Sequence, residues 1–499
     1  MERTKLSEAE KAELRRWDRE IVWHAFTQMA EYEPLLIERA HGCTLVDVDG
    51  REYLDGVSSL WCNVHGHKHP AIDSAIREQL DRVAHTTGLG ASNPTTVAVA
   101  KRLVDLAPDG LNHVFFSDDG ATAVEIALKM AVQYWQQRAD PKPAKNTFVA
   151  LGDAYHGDTL GGVSVGGVAR FQAMFRPLLF DVLRLPLPTT YRRPPAALAP
   201  CGRGERPQAT GEGVKRVDAS PPHPSAVGGH LLTQGEKEDM LTVEQACAYY
   251  LQQAEELLER EHDRIAAVVI EPLVQCAAGM VTHPPSYLRG LRELTRRYDV
   301  LLIADEVAVG FGRTGTMFAC EHEQVSPDLL CLAKGLTGGY LPMAATLATT
   351  EIWNAFLGDF AASRQFYHGH TYGGNPLAAA AALASLQVFE TDNVLANLQP
   401  KIARLSEHLA RIARHPHVGD LRQRGMLAGI ELVRDRATAE PYPWSERRGQ
   451  RVCDFARSQG VLLRPLGNVV VVMPPLAIAL DELDRILLAI EKGIEQACV

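Results

Sequence analysis

Along most of the chain apolar residues recur in patterns, but a few short stretches are apolar at every position, and two of them end in ionisable residues. Val300-Leu301-Leu302-Ile303-Ala304 ends in Asp305-Glu306, and Leu329-Leu330-Cys331-Leu332-Ala333, which opens at Asp328, ends in Lys334. Charge-free runs of this length read as strands buried on both faces, as in a parallel sheet covered by helices. Val114-Phe115-Phe116, Phe148-Val149-Ala150 and Ile265 to Ile270 repeat the pattern, with a helix predicted up to Arg138 and others between the later runs. Strands alternating with helices from residue 100 onward predict an α/β domain with a mostly parallel central sheet.

The flanks follow other periods. Ser7 and Glu10 form a capping box ahead of a helix ending near Glu20, and Leu45-Val46 and Tyr53-Leu54 flank the turn pair Asp49-Gly50 as a hairpin. After Gly374-Asn375 an alanine-rich helix, Pro376 to about Phe389, opens a smaller C-terminal α+β domain. Its last helix buries Leu483, Ile486, Leu487, Ile490 and Ile494, with Asp481 as the expected N-cap. Residues 187–240, dense in Pro, Gly, Ala and Arg, lack any apolar period and read as a flexible surface insertion. The expected division is an N-terminal segment over 1–75, a large domain over 76–365 that carries the insertion, and a small domain over 366–499.

Composition narrows the class. With 46% hydrophobic and 22% charged residues the chain of 499 is that of a soluble globular protein, and a net charge of -10 argues against nucleic acid as a partner. No apolar run approaches the roughly 20 residues of a membrane span, so no membrane partner is expected. The charged opening MERTKLSEAEKAELRRWDRE is unlike a secretory signal, which points to the cytoplasm. Nine cysteines, an odd number without a Cys-x-x-Cys pair, fit reduced thiols.

Candidate chemistry sits at strand ends, where ligands bind in open α/β sheets. Pyridoxal phosphate needs an amine to hold it and a carboxylate to keep its ring nitrogen protonated, and Lys334 and Asp305 could supply both. For either residue alone an ordinary salt bridge or a solvated strand end is the commoner reading. Gly335, Gly338 and Gly339 after Lys334 make a pliable loop that lets a cofactor approach the backbone. Strand, Gly120-Ala121 turn and helix start form a candidate anion site, provided that Asp118 and Asp119 cap the helix or face away. Tyr155, after the next strand, could stack on a planar ring.

His65, His67 and His69 alternate along a loop without a Cys, Asp or Glu partner close in sequence, so a structural role is expected and no metal. An NTPase reading of Asp305-Glu306 fails for want of a Gly-x-x-x-x-Gly-Lys-Ser/Thr loop. A dehydrogenase reading of Gly161-Gly162 and Gly166-Gly167 lacks the strand–turn–helix context.

Further motifs are Trp23-His24 with Phe26-Thr27-Gln28-Met29, Asn63-Val64-His65-Gly66-His67, Tyr155-His156-Gly157-Asp158, Gly310-Phe311-Gly312-Arg313-Thr314-Gly315, His368-Gly369-His370-Thr371 and Leu463-Arg464-Pro465. Together with the strand ends they resemble the class III, fold-type I pyridoxal-phosphate aminotransferases, and within them those acting on 8-amino-7-oxononanoate in biotin synthesis. The resemblance spans nearly the whole chain except roughly 190 to 240. It implies that Lys334 holds pyridoxal 5'-phosphate and shuttles the proton, that Asp305 pairs with the pyridinium, that Gly120 and Ala121 bind phosphate, and that Tyr155 stacks on the ring. His370 and Thr371 would serve the cofactor of the other subunit, making a homodimer the working unit. Phe26, Leu60, Trp61, Tyr155, Lys334, Gly369 and Arg464 would meet substrate, Arg464 taking a carboxylate in its planar fork.

Many relatives have serines at the positions of Asp119 and Ala121, so backbone N–H groups carry more of the phosphate here. Relatives using S-adenosylmethionine usually have paired tryptophans at Leu60-Trp61 and a tyrosine at Phe26, whereas this pattern also resembles lysine-using members. The expected donor is S-adenosylmethionine or lysine. The main alternative is another class III enzyme acting on an ω-amino acid such as 4-aminobutyrate or ornithine, a group that usually carries a different glycine turn.

Overall fold

The computed structural model describes residues 6–191 and 241–498, so most of the insertion expected at 187–240 lies outside the described residues. Seven strands form the main sheet. In chain order they are β1 (Leu111–Ser117), β2 (Thr147–Leu151), β3 (Val182–Leu185), β4 (Ile265–Ile270), β5 (Leu301–Asp305), β6 (Leu329–Leu332) and β7 (Ala344–Thr349). Their spatial order is β1-β7-β6-β5-β4-β2-β3, and β7 alone runs against its neighbours.

The apolar runs explain the layering, because successive side chains of a strand point to opposite faces. Leu302 and Ala304 join one buried cluster with Leu288 and Leu291 of the helix Tyr287–Arg297. Leu301 and Ile303 join another with Ala123 and Ala127 of the helix Gly120–Gln137. Both faces are therefore dry, and the loops at the carboxyl ends of β5 and β6 become the natural place for chemistry.

Two strands carry little apolar signal and were not expected. β3 is interrupted by Arg184, whose guanidinium donates to Ser164 O and Val165 O at 2.5 and 2.7 Å. β7, Ala-Ala-Thr-Leu-Ala-Thr, is held by register and by the Thr346 hydroxyl donating to Ala123 O at 2.8 Å.

In the C-terminal part, β8 (Val418–Arg424), β9 (Leu427–Asp435), β10 (Pro465–Leu466) and β11 (Val469–Val472) form an antiparallel sheet in the order β8-β9-β11-β10. The helix Leu480–Ala497 buries its five expected aliphatic residues, but Asp481 is not its N-cap. Ala479 occupies that position and its N–H donates to the Glu482 carboxylate at 2.9 Å, so Asp481 lies inside the first turn, where its charge still favours the dipole. The helix Pro376–Thr391, capped by the Asn375 side chain, packs against Pro70–Leu80 and Pro94–Leu106.

The expected hairpin forms from Thr44–Asp47 and Glu52–Asp55, and the latter pairs in parallel with Val461–Leu462. This pairing brings Gly56, at the head of the loop to Trp61, against Leu463, the neighbour of Arg464. Among the described residues no helix is long and apolar enough to cross a membrane.

Candidate active site

Strand register brings the amine and the carboxylate together. Asp305 on β5 stands beside Cys331 on β6, and Lys334 follows three residues later past the same sheet edge. Both line one cavity of about 690 Å³. Asp305 is almost fully buried; its Oδ2 accepts from His156 Nδ1 at 2.8 Å and its Oδ1 from the Val307 N–H at 3.0 Å. The second ring nitrogen of His156, Nε2, is buried without a partner among the described residues. Lys334 sits in the left-handed region at φ 44, a conformation costly for any residue with a Cβ and tolerated where the surroundings enforce it. Its ammonium lies 5.1 Å from the centroid of the Trp61 ring.

Trp61 reaches the cavity through an unusual turn. Ser58, Ser59, Leu60 and Trp61 all have positive φ, between 48 and 70, in a stretch without glycine. Asp55 holds it, accepting the Ser59 N–H and hydroxyl at 2.9 and 2.8 Å, while the Ser58 hydroxyl donates to Met473 O. The turn aims Trp61 inward and leaves Leu60 exposed.

Tyr155 and Glu271 form another wall. The Tyr155 N–H donates to Glu271 Oε1 and the Cys276 N–H to Glu271 Oε2, each at 3.0 Å. Burial pushes the Glu271 carboxyl up to about 7. Burial and the Asp158 carboxylate, 2.8 Å from its hydroxyl, push the Tyr155 phenol well above its ordinary range.

At the start of the helix Gly120–Gln137, Gly120 and Ala121 line the same cavity. Asp119 caps the helix, its Oδ1 accepting the Thr122 N–H at 3.0 Å, and Asp118 is paired with His370 Nδ1 at 2.9 Å. Neither approach tolerates bulk. A Cβ on Gly120 would stand 2.5 Å from Val307 Cγ1, and one on Gly157, at φ +104, would stand 2.3 Å from the Ala121 Cβ.

The single chain does not bring every expected residue to the cavity. Phe26 is exposed, its ring 5.3 Å from Phe171, which in turn lies edge-on to Tyr155 at 5.9 Å. Gly369, His370 and Thr371 are exposed on one loop, and Arg464 is half-buried between Val461–Leu462 and β10. Of the alternating histidines, His65 Nε2 meets Ser385 Oγ, His67 Nε2 meets Asp55, and His69 Nε2 lies 3.4 Å from Asp392. Among the described residues no group of three His, Cys, Asp or Glu could hold a metal.

Glu271 was missed, although it follows β4 as Asp305 ends β5, and the same strand-end criterion would have found it. The cavity suits pyridoxal phosphate. It offers an amine without a hydrogen-bond partner among the described residues, a buried carboxylate, a glycine-lined helix start for an anion, and aromatic rings on its walls.

The sequence profile described as aminotransferase class-III matches residues 27–220 and 223–494. Over 484 residues the chain is 48% identical to the adenosylmethionine-8-amino-7-oxononanoate aminotransferase of Geobacter sulfurreducens, covering 96% of this chain and 97% of that one. The crystal structure of the like-named enzyme of Methanocaldococcus jannaschii superposes with a TM-score of 0.83 at 40% identity, covering 98% of this chain and 100% of that one. An amine transaminase from an uncultivated Pseudomonas species, solved with PLP bound, gives 0.82 at 33% identity, covering 96% and 99%.

Proposed function

The chain belongs to the class III aminotransferases, a fold-type I family that works with pyridoxal 5'-phosphate, and from that premise we propose that it aminates 8-amino-7-oxononanoate to 7,8-diaminononanoate. The reaction is a step of biotin synthesis, and the amino donor is S-adenosylmethionine or lysine. The observation that carries this reading is the meeting of Lys334 and Asp305 in one cavity, in a chain so similar over its length to relatives of that name.

When bound, the cofactor supplies an aldehyde that captures amines and a ring that accepts electrons. The chain does the rest. Lys334 Nζ would hold the cofactor and, once free, would act as the local base that takes and returns the proton at the donor carbon. Asp305, oriented by His156, would keep the ring nitrogen protonated, and Tyr155 would stack on the ring, while Trp61 lines the same cavity beside Lys334. Gly120 and Ala121, whose N–H groups at the helix start have no partner among the described residues, would offer them to the phosphate. Phe26, Leu60, Trp61, Tyr155, Gly369 and Arg464 position substrate, Arg464 taking the acceptor's carboxylate. His370 and Thr371 serve the cofactor of the other subunit in a cytoplasmic homodimer.

The test is direct. Pure protein is expected to be yellow and to form diaminononanoate when the two donors are offered separately, one of them strongly preferred; Lys334→Ala loses both colour and turnover. A colourless wild type that added pyridoxal phosphate cannot restore would end the reading.

A further inference from the structure

Arg464 has no hydrogen bond or ion pair among the described residues, so where its guanidinium stands depends closely on the course of its backbone. That backbone is braced from outside. Arg464 immediately precedes β10, which turns at Gly467 (φ +62), and the indole of Trp444 lies on that turn so closely that a Cβ on Gly467 would be 2.6 Å from the ring. Trp444 opens the short helical turn Trp444–Glu446, whose Glu446 is held by Arg434 and Arg448, each at 2.8 Å.

The same indole also touches the large domain. The Arg170 guanidinium stands 3.6 Å from its ring centroid, and the next residue, Phe171, is the ring that lies against both Tyr155 and Phe26. Arg447, beside the turn, pairs at 2.5 Å with Glu31, five residues beyond Phe26. Arg170, whose neighbour Phe171 packs on Tyr155 and Phe26, Glu31 and the turn that follows Arg464 thus all meet residues 444–447.

We propose that Trp444 is a positioning residue that fixes how far the carboxylate fork of Arg464 stands from the Tyr155 wall, and thereby selects acceptors by the distance between ketone and carboxylate. This rests on the reading of Arg464 as the carboxylate site and deepens it. Trp444 touches no substrate; it removes freedom from a turn whose unanchored arginine cannot hold itself in place.

The experiment compares holoenzyme with Trp444→Ala, Trp444→Phe and Arg170→Ala, using 8-amino-7-oxononanoate and its methyl ester as acceptors. Trp444→Ala is expected to raise the KM for the acid by roughly tenfold, in keeping with the penalty for small displacements of a binding group. The ester's KM, the donor half-reaction and the visible absorbance should stay put. Trp444→Phe, which keeps a ring over Gly467, recovers most of the loss. Arg170→Ala shows a smaller effect of the same kind and carries the test should Trp444→Ala fail to fold. A wild type that treats acid and ester alike refutes the carboxylate reading of Arg464 and the brace with it. A wild type that discriminates beside variants that discriminate equally well, or that lose acid and ester together, refutes the brace alone.

Discussion

At Glu271 two effects oppose each other. Two backbone N–H groups at 3.0 Å favour its carboxylate, while burial favours the acid and prevails, raising it from the ordinary 4.5 to about 7. Between these values the unfolded chain has released the proton and the folded chain still holds it. Folding therefore takes up a proton, and stability contributed here is full below the window and is lost as pH rises through it. Glu306, also raised to about 7 by burial despite accepting the Ala319 and Cys320 N–H groups, adds to the same slope. His65 and His283, lowered to about 3 by burial, contribute the opposite slope up to the ordinary histidine value, so the check is a comparison of variants: denaturant titrations of cofactor-free wild type and Glu271→Gln below, within and above this window. The stability of wild type relative to Glu271→Gln should fall as pH rises through the window, because only the wild type carries the Glu271 contribution. A variant whose slope matches the wild type would mean that Glu271 gives up its proton at the ordinary pH in the folded chain.

At the scale of elements, the helix Gly120–Gln137 begins with a conflict of charge. Its N-terminus attracts anions, yet its cap is Asp119 and the residue before is Asp118. Asp119→Asn keeps an acceptor for the Thr122 N–H and removes one negative charge from the approach. It is expected to tighten pyridoxal phosphate binding several-fold with little change in Tm, consistent with the 0.3–1 kcal/mol or so of one charge at a helix end. Asp119→Ala removes the cap as well and should cost about 1 kcal/mol of stability. Cofactor titrations and melting curves of both variants separate charge from capping; an asparagine variant that binds more weakly would show that the carboxylate is needed.

The same helix indicates what could be read from sequence. Its strand, glycine turn and start were legible because the signal is local, as were β5 and β6 with Asp305 and Lys334 at their ends. The run of positive φ from Ser58 to Trp61 was not, since no glycine marks it and it is imposed by Asp55 and by Met473, far along the chain. β7 escaped for a related reason: its alanines and threonines are chosen by neighbours on both sides rather than by any period of their own. Glu271 was overlooked although its signal was present.

For the whole molecule, the homodimer proposed above would account for the distribution of exposed apolar surface. The helix Glu8–Ile21 buries none of its residues, and it is held by Asp18, which meets His24 and Tyr32, and by surface ion pairs such as Arg15–Asp49 and Arg19–Glu33, each worth roughly 0–1 kcal/mol. A 14-residue helix is marginal in water without an apolar face to bury, and the residues beyond it, Trp23 at 89% and Phe26 at 57% exposed, extend that uncovered surface. Leu60 and the loop from Gly369 to Thr371 are open to solvent too, and these are residues proposed above to meet substrate or the opposite cofactor. Covering the surface and completing the site would then be one event. Sedimentation should report a mass of two chains, and Trp23→Asp, which places a charge in the uncovered strip, should shift the equilibrium towards one. Activity should fall in step with the dimer fraction across a dilution series, while Lys334 in the monomer still takes up cofactor, because its cavity is built within one chain. A monomer retaining full turnover would show that each chain completes its own site.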